Sequence, residues 1–196
     1  VGGVNKGGKM KIKLWLHETI LKNSDDCSIF RAGFDLDFIK KYVKLAYKSQ
    51  PIDIEFKDYE EFTSIPTEAD RHVALNNFKL VAFPTDAVDC LLIADKDMGK
   101  CGLQATAERF NHLVFNVYKN IYNKNDLESL GFLFAHELGH TLGLNHYVRP
   151  SYVNPDTVDP VWLDYLIMQY PAKHITTIEE LETEDIWRDQ IVTPKN

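Results

Sequence analysis

A chain of 196 residues with 44% hydrophobic and 12% aromatic content is composed like a globular domain and is long enough for a sizeable core. Its formal charge of −7 argues against a general nucleic-acid binder, whose field is positive, and reads as a solvated acidic surface. No apolar run approaches the ~20 residues that span a bilayer, and the polar, Gly-rich opening VGGVNKGGKM lacks the pattern of a signal peptide. Residues 1–10 read as a flexible leader, an expression remnant or the ragged start of a matured domain.

Lys11 to His17 (KIKLWLH) alternates charged and apolar residues, which predicts a strand. From Phe34 to Tyr47 the apolar residues recur at helical spacing, and Pro51 stops the helix. Ile52 to Phe56 alternates again and predicts a second strand. Residues 57–83 carry no firm element beyond a strand near Leu80. Cys90 to Ala94 (CLLIA) is a short apolar run suited to a buried strand, Asp95 to Gly99 (DKDMG) to a turn, and Leu113 to Val117 (LVFNV) to another strand. A helix begins near Asn125 or Asp126, where Asn125 and Glu128 suit an N-cap and first turn. Leu127, Leu130, Phe134, Leu138 and Leu142 supply its buried stripe. After His146, Pro150, Pro155 and Pro160 exclude a regular helix. Thr177 to Ile191, with Leu181, Ile186 and Trp187, reads as a closing helix interrupted at Thr183. Cys27, Cys90 and Cys101 allow at most one disulfide: either Cys90 pairs with Cys101, or all three are reduced, buried thiols.

The segment HELGHTLGLNH, His136 to His146, carries the chemistry. On a helix His136 and His140 are i and i+4, so their imidazoles leave one face a turn apart. Two neutral imidazoles so placed can bind one Zn²⁺. Glu137, beside the first ligand, can reach a metal-bound water as general base. Gly143 lets the chain leave the helix with a backbone geometry that most residues resist, and His146 then supplies a third nitrogen. Three protein ligands leave a fourth position for water, the mark of a catalytic rather than a structural zinc site. A histidine pair on a helix is often just solvated or packed in a core. Agreement at five positions, His136, Glu137, His140, Gly143 and His146, makes chance improbable.

This pattern resembles the signature of the metzincin clan of zinc metallopeptidases, H-E-x-x-H-x-x-G-x-x-H followed by a Met-turn. Met168, in the run LIMQYP, fits that turn. Tyr170, two positions on, is similar to the tyrosine of astacin-like and serralysin-like members, which reaches the zinc site as a ligand or as a donor to the oxyanion. Its other reading is a packed aromatic beneath the site. Tyr147 departs from the residues that mark subfamilies after the third histidine, acidic in some and Ser or Pro in others, so the subfamily stays open.

The resemblance implies a single α/β catalytic domain over 11–196. Its upper lobe, about 11–143, holds a twisted, mostly parallel sheet and an active-site helix above the cleft. Its irregular lower lobe, about 144–196, ends in a helix. It implies a zinc-dependent endopeptidase with one catalytic Zn²⁺ on His136, His140 and His146, Glu137 as base and Tyr170 as oxyanion donor. A protein or peptide substrate and secretion follow from the same likeness; the oligomeric state stays open, with a monomer favoured. Gly102 to Ala105 stands where the clan has an edge strand that pairs with extended substrate; the alternative is an ordinary surface loop. Two rivals remain. In one, a glutamate on a downstream helix is the third ligand, for which Glu179, Glu180, Glu182 and Glu184 are available. In the other, the chain is a catalytically silent zinc-bearing scaffold or binding module, against which Glu137 stands. His17, His72, His112 and His174 lie outside any ligand spacing and read as surface residues or supports of the site.

Overall fold

A computed structural model of the chain describes residues 8–17, 36–50, 52–62, 87–93, 112–117, 127–142, 144, 146, 167–169 and 175–183. Their elements run β1 (Lys9–His17), α1 (Leu36–Ala46), β2 (Asp53–Phe62), β3 (Val88–Ile93), β4 (His112–Asn116), α2 (Leu127–Thr141) and α3 (Ile178–Thr183). The four strands form one sheet in the order β2-β1-β3-β4. Every pairing among them is parallel, so each connection must cross over, and α1 lies in the crossover from β1 to β2.

Side chains alternate across a strand, and here the alternation sorts them by chemistry. Met10, Ile12, Leu14 and Leu16 of β1, Val88, Cys90 and Leu92 of β3, and Leu113, Phe115 and Val117 along β4 share one core with the helices. α1 contributes Ile39, Tyr42, Val43 and Ala46. Phe115 stacks on Phe134 at 3.8 Å between centroids, joining sheet to α2. α1 and α2 approach closely because Gly131 has no side chain: a Cβ there would stand 2.6 Å from Cγ of Tyr42.

α3 is short and capped by its own sequence. Thr177 Oγ1 accepts from the Glu180 N–H at 3.2 Å, and Glu180 Oε2 accepts from the Thr177 N–H at 2.8 Å, a reciprocal capping box. Glu128 Oε1 takes the Ile178 N–H at 3.0 Å. The Tyr42 hydroxyl donates to the Thr176 carbonyl at 2.6 Å, and Lys48 Nζ donates to the Leu181 carbonyl. These bonds tie α3 to α1 and to the start of α2.

The structure is α/β, as expected, with shifted boundaries. β1 begins at Lys9, two residues early, because Met10 already faces the core. β2 continues to Phe62, through a stretch the sequence leaves unassigned. Asp58, Glu60 and Glu61 obscure it, since acidic residues are poor strand formers, yet backbone pairing with β1 reaches His17↔Phe62 past a register shift. His17 and His112 correct the surface reading: both are fully buried, on the sheet face away from the helices. There Trp15 Nε1 donates to Asp89 Oδ1 at 2.9 Å, and His112 Nε2 lies 3.9 Å from Asp89 Oδ2. Cys90 is a free thiol, which burial and, secondarily, Asp89 hold well above the usual range. The leader up to residue 7, the strand near Leu80, the turn at 95–99, Gly102 to Ala105, the proline-rich loop, residues 184–191, Cys27, Cys101, His72 and His174 lie outside the described residues. Among the described residues no helix is long and apolar enough to cross a membrane.

Candidate metal centre

α2 reads LESLGFLFAHELGHT, with Glu128 in its first turn, where an acidic side chain suits the helix dipole, and His140 in its last. Leu130, Phe134, Leu138 and Leu142 are buried, and Leu127 packs at the margin. His136 and Glu137 are also buried, while His140 is partly exposed. The helix ends with Leu142 N–H bonded to the Leu138 and Gly139 carbonyls and Leu144 N–H bonded to the Gly139 carbonyl at 3.0 Å. The last of these is the 6→1 bond of a Schellman-type terminus. It turns the chain back toward the helix's final histidine.

That return assembles the triad. Ligand nitrogens of His136, His140 and His146 all lie within 4.8 Å of one another. The rings converge, with centroids 4.9 Å (His136–His140), 5.1 Å (His136–His146) and 4.7 Å (His140–His146) apart. Both helix histidines are oriented by carbonyls: His136 Nδ1 donates to the Ile167 carbonyl at 2.7 Å and His140 Nδ1 to the Leu144 carbonyl at 2.9 Å. A carbonyl only accepts, so each Nδ1 carries the proton and each Nε2 presents a lone pair. His140 Nε2 lies 3.1 Å from His146 Nε2. Two nitrogens on one tetrahedral zinc stand about 3.3 Å apart, given bonds of roughly 2.0–2.1 Å. The donor set therefore fits a metal ion. Burial, partly offset by the Ile167 carbonyl, pulls His136 down to about 4, and burial with His140 lowers His146.

Glu137 is 5% exposed, and its Oε2 has no hydrogen-bond partner among the described residues. Burial alone pushes its carboxyl up to about 8; a bound cation would act in the opposite direction. A buried carboxylate oxygen without a partner is costly and calls for an explanation in what the residue serves.

Ile167 and Met168 are fully buried beneath the helix. A Cβ on Gly139 would collide with Sδ of Met168 and stand 3.2 Å from the Tyr47 hydroxyl. Gln169 is buried too. Gly143, Tyr147 and Tyr170 lie outside the described residues. Among the described residues no glutamate of α3 joins the triad. Glu180 is committed to its cap and Glu182 pairs with Lys41 at 2.8 Å, which leaves the downstream-glutamate rival without support there. Sequence reasoning missed the Ile167 and Leu144 carbonyls, since a backbone acceptor leaves no mark in residue type. It also missed Tyr47, though a glycine in mid-helix between two ligands is a signal of close approach.

No protein-family model matches the chain, and no curated protein matches it either.

Proposed function

We propose that the chain is a zinc-dependent endopeptidase of the metzincin kind, with His136, His140 and His146 as ligands and Glu137 as general base. The observation that carries this reading is the convergence of three imidazoles, two of them with tautomers set by backbone carbonyls, beside a buried carboxyl whose Oε2 has no hydrogen-bond partner among the described residues. An all-imidazole site suits several transition metals; a base next to a ligand and an open coordination position favour zinc. The described residues give an α/β structure with an all-parallel sheet; its assignment to the upper lobe of a two-lobe metzincin domain is part of the proposal.

His136, His140 and His146 would hold the zinc, which would supply a polarised water with a pKa lowered toward ~7. Glu137 would take a proton from the attacking water and return it to the leaving amine. Tyr170, if its hydroxyl faces the cleft, donates to the oxyanion. The Ile167 and Leu144 carbonyls hold the His136 and His140 rings in place throughout, as hydrogen-bonded partners of metal ligands generally do. Extended peptide would enter as an added strand.

The test is cleavage profiling on a peptide library with and without chelator. Glu137→Gln should keep its metal and fold but lose turnover by ~10²–10⁴-fold. Wild-type rates in that variant would remove Glu137 as base. A zinc-loaded wild type that cleaves nothing would leave a scaffold in place of an enzyme.

A further inference from the structure

We infer that Tyr47 is a positioning residue of the metal centre, holding His136 and His140 in register through the backbone between them. The inference rests on the metal-site reading above.

Tyr47 follows α1, with its N–H on the Val43 carbonyl at 3.2 Å, and its side chain is fully buried. Its hydroxyl donates to the Ala135 carbonyl at 2.5 Å. That carbonyl belongs to the same peptide unit as the His136 nitrogen. In an α-helix it also faces the N–H four residues on, that of Gly139, the residue before His140. One hydroxyl therefore grips the single turn that joins both helix ligands. Gly139 makes room for it: a Cβ there would stand 3.2 Å from the Tyr47 oxygen and collide with Met168. Glycine is a poor helix former, so its place at the centre of this turn answers to the close approach of Tyr47 and Met168. Burial keeps the phenol protonated, so it remains a donor. Metal affinity depends on ligand placement within fractions of an ångström, and Tyr47 restrains that placement through the helix backbone.

Tyr42 provides an internal control. It lies within α1, ahead of Tyr47, and is buried alike, and its hydroxyl also donates to a carbonyl, that of Thr176 at 2.6 Å. Its ring lies against Gly131, more than two turns before His140.

Tyr47→Phe and Tyr42→Phe are purified, melted and titrated with zinc against a competing chelator, and the visible spectrum of the cobalt(II) form is recorded for each. Both should lose melting temperature by similar amounts. Tyr47→Phe should raise the zinc Kd about 10-fold and shift the cobalt bands, with Tyr42→Phe within ~2-fold of wild type, the scale expected when support for a ligand is lost. Equal zinc affinities in the two variants, whether both normal or both weakened, would overturn the inference and leave the metal site standing. A wild type whose metal binding does not depend on His136 would take down the site itself, and Tyr47's role with it. Should Tyr47→Phe fail to fold, 3-fluorotyrosine placed at position 47 keeps the hydroxyl; its fluorine resonance should move when zinc is added, and an unmoved resonance overturns the inference.

Discussion

The two faces of the sheet are made of different materials. Toward α1 and α2 it presents Met10, Ile12, Leu14, Leu16, Val88, Cys90, Leu92, Leu113 and Phe115, apolar throughout. Away from them, the same strands present His17, Asp89, His112 and Asn116 alongside Leu91, Ile93 and Val114, and these too are almost wholly removed from water. Burial on the first face is satisfied by shape and dispersion alone. On the second, each polar group needs a partner of defined geometry, as Asp89 has in Trp15. The candidate metal centre stands on the helix that packs against the first face. Its ligands thus inherit a rigid, apolar bed, and a few carbonyls and one phenol supply the fine placement.

The contrast can be broken by substitution. Phe134→Ala should have the largest effect. It removes the stack on Phe115 and leaves a cavity under α2, which costs about 3–5 kcal/mol; chemical denaturation measures it, and zinc affinity should fall with it. Asp89→Ala should cost less, about 1–3 kcal/mol, chiefly by leaving the Trp15 N–H without its acceptor. Zinc affinity should not change, because the site lies across the sheet. If Asp89→Ala proves the more destabilising, the polar face rather than the apolar one dominates stability. At the exposed end of β1, Lys9 pairs with Glu55 at 2.5 Å, each side chain 44% exposed. Lys9→Ala should leave the unfolding midpoint unchanged in moderate salt, as solvent-screened pairs do. A clear shift would mean that the sheet's edge contributes more than its exposure suggests.

Much of this was legible in the sequence, for physical reasons that also mark where legibility stops. Alternation over Lys11 to His17 revealed β1, and the apolar run from Cys90 revealed β3, because each strand buries at least one face. The i, i+4 spacing of His136 and His140 fixes their common side of α2 wherever that helix sits. The sequence offers His146 as a third nitrogen, and its Nε2 lies 3.1 Å from that of His140. β2 was cut short because Asp58, Glu60 and Glu61 resemble a loop, and only pairing with β1 makes them a strand. His17 and His112 look like surface residues in one dimension. The parallel pairing that sets Asp89 opposite His112, and β1 between β2 and β3, places them in the sheet. Tyr47 and the Ile167 carbonyl were invisible for the same reason: 88 and 31 residues separate them from their partners. Long-range contacts of this kind depend on topology, which no local pattern encodes.

The central claim is a three-histidine metal centre, and metal binding tests it most directly. The measurement is zinc content and competition affinity for the wild type beside His136→Ala, His140→Ala and His146→Ala. The account predicts close to one zinc per chain and a steep loss of affinity in each variant, since three ligands leave no redundancy. Full zinc occupancy in His146→Ala would contradict it.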